Sequence, residues 1–95
     1  MNGIPIIEDL SKITDLNIGS AQINAYSAAG LDGTNVEKRI VDLIAETDDF
    51  TPLKSLSIEY LERIIEKARY RQISFAKCLK LASIAHDINE DYIPA

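Results

Sequence analysis

The chain has 95 residues, 46% hydrophobic and 26% charged, with a formal net charge of −5. That length holds one core and not two, and that composition excludes a disordered chain. The acidic balance disfavours non-specific attraction to nucleic acid or anionic lipid.

From Pro5, the apolar residues Ile6, Ile7, Leu10 and Ile13 keep helical spacing, and Glu8 stands four before Lys12. Proline suits the first helical position, so a first helix is predicted there. The "NIGS" at residues 17–20 reads as a break, with Asn17 or Ser20 capping a second helix. That helix is rich in small residues, has Ile23 and Tyr26 as its larger anchors, and stops at Gly30. Thr34 followed by Glu37 forms a capping box at the start of a third helix. On it, Val36, Ile40, Leu43, Ile44 and Thr47 share one face, and Lys38, Arg39, Asp42 and Glu46 the other. The acidic cluster before Phe50 and Pro52 ends it.

Ser57 caps the next helix, with Leu56 and Leu61 in the staple positions. Ile58, Leu61, Ile64, Ile65 and Ala68 form its apolar arc. Outside that arc, Glu59, Glu62 and Glu66 make an acidic stripe, and Arg63, Lys67 and Arg71 a basic one. "YRQIS" reads as a turn and Ser74 as the cap of a last helix running to about Ile88, with one continuous helix over residues 57–88 as the rival. The last helix is apolar on almost every side, which places it centrally in a bundle or against a partner. No strand-like alternation and no internal repeat occurs. The predicted fold is all-α, a compact bundle of four to five short helices in a single domain over residues 1–95.

Catalytic and metal chemistry find little footing. His86, the sole histidine, falls on the arc of Phe75 and Leu79 and is expected as a partly buried packing residue. It lies about 12 Å of helical rise from Cys78, too far for a hydrogen bond. Cys78 is the sole cysteine, so there is no intrachain disulfide; it is expected as a buried, inert thiol in a reducing, cytoplasmic setting. The acidic clusters lack the alternating oxygen ligands of a calcium loop, and zinc has no ligand set. No cofactor and no metal are expected. The N-terminus lacks the pattern of a secretory leader, and the longest apolar run, Leu43-Ile44-Ala45, is far short of a membrane span.

"AYSAAGLDGTNVEKRIVDL" is similar to the turn and the start of the recognition helix in helix-turn-helix repressors. The resemblance covers about nineteen residues, within which Asn35, Lys38 and Arg39 would face bases. It departs at Tyr26, where the motif favours alanine, and at Arg39, where it favours an apolar residue. Glu37, Asp42 and Glu46 would face phosphates. A nucleic-acid-binding regulator is therefore the alternative reading.

The stronger functional signal is charge placement. Residues 63–80 hold six of the ten bases and one of the fifteen acids. The candidate partner-binding residues are Arg63, Lys67, Arg69, Tyr70, Arg71, Lys77 and Lys80. The competing explanation is local pairing, Glu59 with Arg63 and Glu66 with Arg69. Acid stripes flank the patch, so an acidic protein surface suits it better than a polyanion. A homodimer is the simplest version, with Glu46, Asp48, Asp49 and an exposed Phe50 as the acidic counter-surface. The function expected is a non-catalytic interaction module: an adaptor, regulator or inhibitor of a protein partner.

Overall fold

The computed structural model describes residues 5–89 and bears out the all-α class. The single domain predicted over residues 1–95 includes residues 1–4 and 90–95, which lie outside the described residues. Four α-helices follow one another: α1 Leu16–Ala28, α2 Thr34–Glu46, α3 Ile58–Tyr70 and α4 Phe75–Ile88. Each packs on the next, and a 3-10 segment, Thr51–Ser55, bridges α1 and α4. One apolar core joins them, centred on Ile13, Ile23, Ile40, Ile44, Leu53, Leu61, Ile64 and Leu81.

The first predicted helix does not form. Residues 5–9 have no regular secondary structure, with Asp9 extended, and are followed by a single 3-10 turn, Leu10–Lys12. Side chains take the backbone groups a helix would need. Asp9 Oδ1 accepts from the Ser11 N–H at 3.1 Å and from its hydroxyl at 2.7 Å. The buried Gln22 amide accepts from the Ile7 N–H at 2.7 Å and donates to the Pro5 carbonyl at 2.8 Å. The Tyr26 hydroxyl donates to the Ile7 carbonyl at 2.9 Å.

"NIGS" is not a break either. Asp15 caps α1 by accepting from the Ile18 N–H at 2.8 Å, and Gly19 and Ser20 lie buried inside the helix. Gly19 lets α1 approach α2. A Cβ there would stand 2.8 Å from Ile40 Cγ1. Gly30 ends α1 as predicted, at φ +70°, with Leu31 N–H bonded to Tyr26 O and Gly30 N–H to Ser27 O, the two bonds of a Schellman cap.

α2 begins at Thr34, but not through a capping box. Its N-cap is Gly33, and Asp32 Oδ1 accepts from the Thr34 N–H and hydroxyl. The hydroxyl first, then the N–H, hold the Asp32 carboxyl below its ordinary pKa. Glu37 turns into the protein instead.

α3 and α4 are separate helices. Gln72 takes φ +63° between them, with its N–H bonded to Arg69 O and that of Ile73 to Ala68 O. This second Schellman cap has a side chain where glycine fits best. Gln72→Gly is expected to raise stability by about 0.5–1 kcal/mol, because relief of the left-handed backbone exceeds the added unfolded-state entropy. The urea midpoint reads the effect; an unchanged or lowered midpoint refutes it. Ser74 caps α4 as predicted, accepting from Lys77 N–H at 3.2 Å.

α4 is not central. Leu81, Ile84 and Ala85 are buried, but Phe75 and Leu79 are 77% and 55% exposed. The helix packs on α3 and on the 3-10 segment, leaving its other side to solvent. His86 is therefore exposed and Cys78 only half-buried, against the burial predicted for both. Phe50, expected outside, is buried as the N-cap of the 3-10 segment.

Candidate protein-binding surface

The basic residues of 63–80 are mostly engaged within the protein, and their partners lie on or next to α2 rather than on their own helix. Lys67 Nζ stands 2.6 Å from Glu37 Oε1, and Arg63 Nη2 3.2 Å from Glu37 Oε2. Arg71 pairs with Asp42. Lys77 Nζ donates to the Ile44 and Ala45 carbonyls at 2.9 and 2.7 Å, and Lys80 Nζ to the Asp48 carbonyl at 3.3 Å. The last turn of α2 lacks a left-handed cap, since Thr47 is extended. Lys77 supplies donors and positive charge to its open carbonyls. The predicted Glu59–Arg63 pairing gives way: Arg63 turns to Glu37, and its guanidinium lies 5.7 Å from the Tyr60 ring centroid.

Glu37 is the residue that sequence reasoning misplaced. Its side chain is completely buried, and its Oε2 accepts no hydrogen bond despite the nearby Arg63. A signal was available in its spacing. Glu37 stands four before Val41 and seven before Ile44, so it belongs to the inward face. An acid on that face calls for a cation from elsewhere, and α3 delivers two.

A groove of about 670 Å³ runs between α2 and α3. Its lining includes Val41, Asp42, Arg63, Lys67, Tyr70 and Arg71. Tyr70 is 87% exposed at the C-terminal end of α3. Arg69 is exposed beside it and has no ion pair among the described residues. The structure thus gathers Arg63, Lys67, Tyr70 and Arg71 along one groove. Lys77 and Lys80 are directed to the end of α2.

The proposed acidic counter-surface is only partly available. Glu46, Asp48 and Asp49 are exposed, but the burial of Phe50 removes its apolar anchor. The Asp49 carboxyl also accepts from the Thr51 N–H at 3.1 Å. In the helix-turn-helix-like stretch, Asn35 and Lys38 are exposed, whereas Arg39 Nε donates to the Ile13 carbonyl at 2.9 Å. No helix among the described residues is long and apolar enough to cross a membrane. No known protein family, curated protein or solved structure matches the chain.

Proposed function

We propose that this protein is a small non-catalytic interaction module, an adaptor, regulator or inhibitor, that receives an acidic protein surface at the C-terminal end of α3. The observation that carries the reading is Tyr70, a large aromatic side chain 87% exposed at a groove lined by Arg63 and Arg71. An exposed aromatic residue among arginines is the usual composition of a binding hot spot. Arg63 and Arg71 each give one contact to an acid of α2 and keep further N–H groups for a partner. Arg69 makes no ion pair and no side-chain hydrogen bond among the described residues.

Reversing Arg63 and Lys67 would make a poor test, because those two cations compensate buried Glu37. Arg69→Glu with Arg71→Glu avoids the core. That double variant is expected to leave the helical circular dichroism unchanged and to slow association with the partner by about tenfold at low salt, with a weaker salt dependence. Tyr70→Ala is expected to speed dissociation instead. The partner is first captured from source cells with and without nuclease. Nuclease-sensitive capture favours the nucleic-acid reading, and parent-like kinetics in both variants overturns this one.

A further inference from the structure

α4 has two apolar faces, and the bundle uses one. The inner face carries Leu81, Ile84 and Ala85, all buried. On the opposite side lie Phe75, Leu79, Ala82 and His86, at successive spacings of four, three and four residues. That is the d-a-d-a seam of a coiled coil. Phe75 and Leu79 are the largest apolar side chains on it and are 77% and 55% exposed. Single exposed leucines need no explanation, but a phenylalanine and a leucine one turn apart on the same stripe form a patch.

Charge indicates the occupant. The flanking positions are Ala76, Cys78 and Ser83, so Phe75, Leu79 and Ala82 are bordered by no acidic or basic side chain. Lys77 lies on another side of the helix and is tied to the carbonyls of α2, and Lys80 reaches the Asp48 carbonyl. An acidic or basic partner would find nothing to pair with here. A second copy of the same strip matches it without bringing like charges together. An antiparallel arrangement about a two-fold axis between residues 80 and 81 also matches size. Leu79 then meets Ala82 of the second copy, Phe75 meets its His86, and the helix dipoles oppose favourably.

We propose that the outer face of α4 is the seam of a homodimer. The seam shares no residue with the α2/α3 groove or with Arg69–Tyr70–Arg71, so the proposal stands independently of the partner reading. From Phe75 to His86 it spans only about 16 Å of helix. An interface that short belongs to the weak, exchanging class, with a dissociation constant on the order of 10–100 μM.

Sedimentation equilibrium of the full chain at about 5–500 μM and neutral pH tests this. The parent mass is expected to climb from one chain towards two across that range. Leu79→Glu is expected to hold the single-chain mass throughout, a loss of tenfold or more in association, with unchanged helical circular dichroism. Phe75→Ser, less demanding on the fold, is expected to shift the curve in the same direction. Arg69→Glu with Arg71→Glu is expected to keep the parent curve, which separates this seam from the partner surface. A parent mass constant at one chain overturns the proposal, as does association of both α4 variants at parent strength.

Discussion

Lys67→Met is expected to cost about 2–4 kcal/mol of folding stability in a urea titration, while Glu37→Leu with Lys67→Met lies close to the parent. The asymmetry follows from burial. The Glu37 side chain has no exposed surface, whereas that of Lys67 is 33% exposed. Removing the lysine leaves a carboxylate inside the protein with only Arg63, which is not aligned for a hydrogen bond. Removing both charges replaces an ion pair with apolar packing, a change that is often neutral or favourable. Glu37→Leu alone is expected to cost less than Lys67→Met, because the freed lysine can reach water. A domain of this size has only about 0.05–0.15 kcal/mol per residue to lose, so the single lysine substitution consumes a substantial share. A loss below about 0.5 kcal/mol would show that the pair does not stabilise the contact between α2 and α3.

Gly19→Ala is expected to destabilise by about 1–2 kcal/mol, even though alanine is the better helix former by about 1 kcal/mol. The new Cβ would stand 2.8 Å from Ile40 Cγ1 and 3.6 Å from Ile13 Cγ2. Ile13 and Ile40 are both fully buried, so neither can swing aside into solvent. The diagnostic measurement is a double-mutant cycle with Ile40→Ala. Once Cγ1 is gone, the clash is gone and the helix preference remains, so the glycine substitution changes sign and becomes stabilising. If it destabilises equally in both backgrounds, the close approach of α1 and α2 is not its cause.

Helical periodicity made most of the bundle legible. The apolar arcs of α2 and α3, the stop at Gly30 and the cap at Ser74 all follow from spacing and from one-residue chemistry. Failures arose where a distant side chain competed for the backbone. Ile6, Ile7 and Leu10 do have helical spacing, but Gln22, some fifteen residues on, claims the main chain of that segment first. Gly19 looked like a break because its use lies across a helix contact, at Ile40. The basic stripe was legible as a stripe. Its counter-charges were not, because Glu37 and Asp42 come from a different helix and only the tertiary fold brings them over. The outer face of α4 was visible as excess apolarity, but which half faces inward depends on how Lys77 and Leu81 are placed against the rest of the bundle.

The Gln22 amide fills the role a neighbouring strand would play, offering one donor and one acceptor to a segment without regular secondary structure. A strand pairing repeats that exchange along its whole length, so its loss at one rung is resisted by the others. Here there is one rung, supplemented by the Tyr26 hydroxyl, and the attached residues Ile6, Ile7 and Leu10 are only half-buried. Residues 5–10 are thus expected to open from α1 at a lower free energy than the four helices unfold. Gln22 supplies both a donor and an acceptor to that segment, so a change at this one side chain on the helix beneath is expected to alter how readily the segment opens.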